Sequence, residues 1–236
     1  MIGKRTWLYV LLIVAILSSA SCTIKKHDET DKAKSKTGSE IEIYFGNTGF
    51  DAKLYVNDIW DHRVVPYIQQ RAVPFEVLMP LLANDTPVAN REYGYRVGEE
   101  GTLFNFAVRG RIEVVAVDQS SRNGLLYFKP KACSDELEYI LQIGPVYKGT
   151  SLRDILDFIS LNDFENQVEF ARLANELNFK VRDEILAGMD YEALIGTEVE
   201  VVAAFTFDPN NPVNVMTPVA FLPVVTSDGE SNAHND

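Results

Sequence analysis

Between Glu138 and Asn178 the spacing of apolar residues changes from a two-residue to a three-to-four-residue period, and β-rich sequence lies on both sides. Tyr139, Leu141 and Ile143 alternate with Glu138, Ile140 and Gln142, the pattern of a mostly buried strand. Gly144-Pro145 ends it, because proline donates no hydrogen bond to a ladder. Ser151-Leu-Arg-Asp154 has the form of a capping box, and Asn162-Asp-Phe-Glu165 repeats the form with Asn in first place, so two helices are expected. From Phe170 the apolar residues return as Leu173, Ala174, Leu177 and Val181, one helix face that must be buried on something larger.

Upstream, Val56, Ile59, Trp60, Val64 and Tyr67 fall on one face of a helix predicted over Phe50 to Gln70, with Pro66 kinking or interrupting it. Pro74 and Pro87 each start a further helix, ending near Leu82 and Tyr93. From Leu103 the period is two again: Phe104, Phe106, Val108, Ile112 and Val114 share a face. Gly110 is read as a bulge, after which the apolar side passes to Val115 and Val117. Asp118 to Gly124 is the turn, with Asn123-Gly124 as its positive-φ pair. Leu125 to Lys129 and Glu138 to Ile143 are strands two and three. Val199, Val201, Phe205 and Phe207 mark strand four, and Val213 to Leu222 strand five, where Pro218 requires an edge or a bulge.

Three strands, a helical connection and two strands make the order of an OB-fold, here an α+β, mainly β chain with a five-stranded OB-like barrel and an N-terminal helical annex. The expected segments are a lipoprotein signal peptide over 1–21, a polar tether over 22–49, the annex over 50–94, the barrel with its inserted helices over 95–226 and a polar tail over 227–236.

The N-terminus changes the picture most. Lys4 and Arg5 precede an apolar run from Trp7 to Leu17, too short for the roughly 20 residues of a spanning helix, and Ser18-Ser-Ala-Ser21 leads into Cys22. This is the form of a lipoprotein signal, with Cys22 acylated as the first mature residue. Ser19 and Ser21 stand where Leu and Gly or Ala are usual, and ordinary cleavage near Ala20 is the alternative. A lipid on Cys22 would hold the protein at the periplasmic face of the envelope, and Thr23, in place of an inner-membrane-retaining Asp, leans towards the outer membrane. The formal charge is −12 over 236 residues, and loss of Lys4 and Arg5 takes it to −14, which disfavours nucleic acid and anionic lipid as partners. Besides Cys22 the chain has one cysteine, Cys133, and His27, His62 and His234 are scattered, so no metal, cofactor or triad is expected.

The runs YVNDIWDHRVVP (55–66), VVAVDQSSRNG (114–124), LQIGPVYKGTSLRD (141–154), FISLNDFENQVEFA (158–171) and MTPVAFLP (216–223) resemble the predicted periplasmic lipoprotein family of domain of unknown function 2291. The resemblance spans about Phe50 to Pro223. It implies an exported bacterial lipoprotein without established activity, often encoded beside sugar ABC transporter genes, and it hands over no catalytic residue.

Two polar clusters are candidate sites. One is Asp118, Ser120, Ser121 and Arg122; the other is Asn162, Asp163, Asn166 and Gln167. An arginine fork beside Asp, Asn and Gln grips sugar hydroxyls, with Tyr147 or Phe164 to stack on a ring. The plainer account has Asp118 and the serines satisfying turn amides and Asn162 capping a helix. The expected function is a non-catalytic accessory or adaptor protein tied to sugar uptake, its partners the membrane and a sugar transporter or its binding protein. An adaptor would expose an apolar patch around Trp60 and Tyr67. A binding module for a carbohydrate-like molecule is the alternative, and a hydrolase built on Asp154, Asp157 or Asp163 comes last.

Overall fold

The structure, a computed structural model, describes residues 45–46, 49–98, 102–133, 139–211 and 213–224. Two short strands, β1 (Phe45–Gly46) and β2 (Gly49–Phe50), pair antiparallel and lead into the helical annex. Asp51 caps α1 (Ala52–Ile59) by accepting from the Leu54 N–H at 2.9 Å. A π-helical turn over Trp60–Val64 then joins it to α2 (Val65–Arg71), with the Val65 N–H on the Trp60 carbonyl. The wide turn lies immediately before Pro66, the residue that has no N–H to continue the α ladder. The predicted stripe is the buried one: Val56, Ile59, Trp60 and Val64 lie in the core, and Tyr67 is half-buried. After β3 (Val73–Pro74) come α3 (Phe75–Asn84) and α4 (Thr86–Tyr93), the latter capped by Asp85.

Five longer strands follow: β4 (Phe104–Asp118), β5 (Leu125–Pro130), β6 (Tyr139–Gln142), β7 (Glu198–Phe207) and β8 (Asn214–Pro223). Their hydrogen-bonded order is β4-β5-β6-β8-β7, and β7 pairs again with β4, so the sheet closes on itself; β3 joins β4 from outside the circuit. All pairings in the circuit are antiparallel except β6 with β8, the closure expected of three strands, a helical connection and two strands. The interior holds Phe106, Val108, Ile112, Leu126, Leu141, Val201 and Phe205, each essentially without exposure.

The bulge is not at Gly110. The β4–β7 ladder runs through that residue unbroken, Gly110 opposite Val201, and Phe106, Val108, Ile112 and Val114 keep one phase across it. Pairing with β5 slips instead between Val114 and Ala116, which turns Val115 to solvent, and Val117 beyond it is only half-buried. Gly110 has a different job: with φ at 152°, it leaves room for Phe75, whose ring would lie 3.1 Å from a Cβ there. Pro218 does sit at a bulge, where the β7–β8 register shifts opposite Val202 and Ala203.

Between β6 and β7 lie α5 (Ser151–Asp154), a 3₁₀ turn over Leu161–Asp163 and α6 (Gln167–Lys180). The caps differ from those the sequence predicts. Thr150 is the N-cap of α5, and Ser151 Oγ donates to the Ala204 carbonyl. Ser160 and Asp163 form the capping box of the 3₁₀ turn, so Asn162 is not a cap. Asn166 caps α6 by accepting from Val168 and Glu169 at 3.0 and 3.1 Å. The stripe Phe170, Leu173, Ala174, Leu177 and Val181 is buried as expected, and α6 also packs against α1.

Candidate functional site

The candidates from the first cluster belong to the β4–β5 turn. Asp118 Oδ1 accepts from the Ser120 N–H at 2.9 Å, and hydrogen bonds from the Ser120 side chain and backbone hold its carboxyl below the ordinary range. Arg122 is exposed; its carbonyl accepts from Val146 at 2.9 Å. Ile143 and Gly144 likewise donate to the carbonyls of Gly124 and Asn123, so the turn lies flat on the end of β6. Gly124 makes this approach possible. Its φ is 51°, and a Cβ would stand 2.3 Å from the Gly144 carbonyl oxygen.

The second cluster does not join the first. Asn162 and Gln167 are exposed, Asn166 is occupied as a cap, and Asp163 accepts from the Ser160 N–H. Phe164 is a core residue, edge-on to Phe50 at 4.9 Å and against Phe170 at 5.4 Å, so it presents no face to a ligand. Tyr147 packs behind the β6 end with its hydroxyl buried and unpartnered among the described residues, and burial pushes its ionisation well above the ordinary phenol range. Cys22 lies outside the described residues.

The concavity that the loops do form, about 350 Å³, lies beside Arg122 without using it. Asn123 and Leu125 from the β4–β5 turn, Lys148 and Gly149 from the segment after β6, and Asn211 and Val213 from the β7–β8 loop line it. Gln142 forms part of the same lining and braces it: Nε2 donates to the Lys148 carbonyl at 2.9 Å and to Thr217 Oγ1 at 3.1 Å, while Oε1 accepts from the Lys148 N–H at 2.7 Å. That leaves this buried amide fully bonded. Asn123 is the opposite case, its Oδ1 buried without a hydrogen-bond partner among the described residues. Among the described residues, no carboxylate and no histidine lines the cleft, and Lys148 is the one ionisable side chain there. Such a lining offers amide, hydroxyl and ammonium groups against an apolar wall of Leu125, Val213 and Val215.

The sequence carried a signal for part of this. Gln142 is a polar residue in an otherwise apolar strand, and such a residue needs a structural partner. Asn123 had none, because it reads equally well as the first half of an Asn-Gly turn. Among the described residues, no group of three His, Cys, Asp or Glu side chains could hold a metal ion, and no helix is long and apolar enough to cross a membrane.

Residues 12–222 match the family described as predicted periplasmic lipoprotein (DUF2291). The chain belongs to that family. A comparison with curated proteins gives no match to this lipoprotein. Among solved structures it is similar to an OB-fold protein from Thermotoga maritima MSB8, at 17% identity and a TM-score of 0.58, over 75% of this chain and 99% of that one. At this identity the likeness speaks for the fold: the lipoprotein carries an OB-fold, as its closed strand order requires. In OB-folds the turn between the first two strands and the loop between the last two flank the common ligand face, and here those segments supply Asn123 and Asn211.

Proposed function

We propose that this lipoprotein is a non-catalytic binding module for a neutral, polyhydroxylated small molecule of sugar type, anchored by lipid on Cys22 and working beside a sugar transporter or its binding protein. The observation that carries the reading is that Asn123, whose Oδ1 is buried and unpartnered among the described residues, lines an amide-rich cleft between the OB loops. A buried acceptor without a donor costs about 1–3 kcal/mol, and a ligand hydroxyl that reaches it recovers much of that. Among the described residues the lining holds amides, hydroxyls and one ammonium and neither carboxylate nor histidine, which supports holding a ligand over transforming it.

The adaptor reading receives less support, since the surface it needs is occupied. Trp60 is 1% exposed, and Tyr67 is enclosed by Arg71, whose guanidinium lies 4.2 Å over its ring, and by the Phe158 ring at 5.3 Å.

The test is the melting temperature of the mature protein in detergent with a panel of mono- and oligosaccharides at millimolar concentration. A ligand at 100 times its dissociation constant adds about 2.7 kcal/mol, several degrees for a domain of this size. The expected result is a sugar-specific shift that Asn123→Ala abolishes and Arg122→Ala leaves in place. A shift that survives Asn123→Ala, or none across the panel, defeats this assignment of the cleft.

A further inference from the structure

A second concavity, of about 710 Å³, lies along β4 where β3 has ended and β5 has not begun. β3 pairs with Val108 and Arg109, and β5 takes up the ladder at Ile112. In the gap, Gly110 and the ring of Phe75 provide a floor without a projecting side chain. Arg109 and Arg111 stand on the same side of β4, two residues or about 7 Å apart, and both are exposed.

Neither guanidinium has a hydrogen bond or ion pair among the described residues. Arg96, Arg122 and Arg172 also lack an ion pair among the described residues, in a chain whose acidic residues exceed its basic ones by 12, but Arg109 and Arg111 are the two that stand side by side in one cleft. Arg71, Arg91, Arg153 and Arg182 each take a carboxylate. The third cation of the cleft, Lys131, is held by Glu113 at 3.1 Å and Glu198 at 3.3 Å. Two carboxylates, Glu76 and Glu200, also line the cleft, and Glu200 lies opposite Arg111 in the ladder, yet no ion pair joins them to the arginines. The cleft therefore presents two unengaged donor forks beside two acceptor groups. Guanidinium forks match phosphate oxygens in pairs, and carboxylates accept from hydroxyls.

We propose that this cleft binds a hydroxylated phosphoester, with the phosphoryl group between Arg109 and Arg111 and the hydroxyls on Glu76 and Glu200. The inference is independent of the loop cleft. One chemistry has two sources here, a soluble sugar or polyol phosphate and the glycerol phosphate headgroup of a phospholipid.

Glycerol phosphate, inorganic phosphate and glycerol are titrated into the mature protein in detergent, with affinity read by calorimetry. Glycerol phosphate is expected to bind, glycerol not, and Arg109→Gln with Arg111→Gln to weaken binding at least tenfold, while Arg91→Gln changes nothing. Glu200→Gln, which removes a neighbouring negative charge, is expected to tighten inorganic phosphate and guards against a double variant that fails to fold. In the second arm, mature chain carrying Cys22→Ser is sedimented with vesicles of phosphatidylglycerol and phosphatidylcholine or of phosphatidylcholine alone. Arginine-dependent sedimentation with the former assigns the lipid headgroup; its absence, with soluble binding intact, assigns the soluble ester. No binding in either arm, or binding unchanged by the double substitution, overturns the proposal.

Discussion

The backbone N–H of Phe50 donates to Oε1 of Glu169 at 3.3 Å, joining residues 119 apart in sequence. The other carboxylate oxygen accepts from the Glu165 N–H at 3.2 Å, and the side chain is buried. Glu169 thus ties the start of the annex to the first turn of α6, where the Phe50 ring also meets Phe164. Glu169→Ala leaves two N–H groups without their acceptor and is expected to cost roughly 2–4 kcal/mol. Glu169→Gln, which keeps one acceptor oxygen, should cost less. Denaturant unfolding of the two variants checks the order.

Two asparagines four residues apart make opposite predictions. Asn166→Ala removes the cap of α6 and should cost about 1 kcal/mol. Asn162 is exposed and caps nothing, so Asn162→Ala should fall within about 0.5 kcal/mol of the parent. Equal losses in thermal unfolding would reverse the assignment of the cap.

At Gly110 any side chain meets Phe75. Gly110→Val is expected to destabilise by about 1–3 kcal/mol through overpacking and backbone strain together. Combining it with Phe75→Leu should give less than the sum of the separate losses, which a double-mutant cycle measures.

Alkali should unfold the protein in a definite window. Burial, helped by the neighbouring Asp157, pushes the Tyr67 phenol up to about 12, and burial does the same to Tyr191. An unfolded tyrosine ionises near 10, so above that pH the unfolded chain binds fewer protons than the folded one. The contribution of these phenols is complete below pH 10 and is lost as pH rises from about 10 to about 12. Melting temperature followed across that range, together with the ultraviolet signal of phenolate, should show tyrosine ionisation concurrent with unfolding; ionisation of every tyrosine near 10 in still-folded protein would contradict it.

Cys22→Ser should release the protein from membranes into the soluble periplasmic fraction, since acylation needs the thiol. Retention of the variant in membranes on fractionation would remove the lipid anchor from the account.

Strand positions and helix stripes were legible in the sequence because burial imposes them residue by residue: Phe106, Val108, Ile112 and Val114 hold one phase, as do Phe170, Leu173, Leu177 and Val181. The caps were not. Asn162 and Asn166 are each followed three residues later by Glu, and the choice between them falls to Phe164, which must turn inward to Phe50 and Phe170 before α6 can start. The bulge was misplaced by giving weight to a glycine whose neighbours never lose phase. The loop cleft was the least legible part. Its distinguishing atom, Asn123 Oδ1, becomes a buried acceptor only because the turn comes to rest on Ile143 and Gly144, a contact between segments about 20 residues apart.

The parallel pairing of β6 with β8 carries a consequence for biogenesis. A chain exported from its N-terminus delivers β8 after the other strands of the closed sheet, and until it crosses, β6 and β7 each face the periplasm with an open edge. Those edges are templates for pairing with other chains, so the interval between the emergence of β6 and that of β8 is when this lipoprotein is most exposed to aggregation and to periplasmic proteases. A truncation before Asn214 should therefore be degraded in the cell even though four of the five strands of the closed sheet remain.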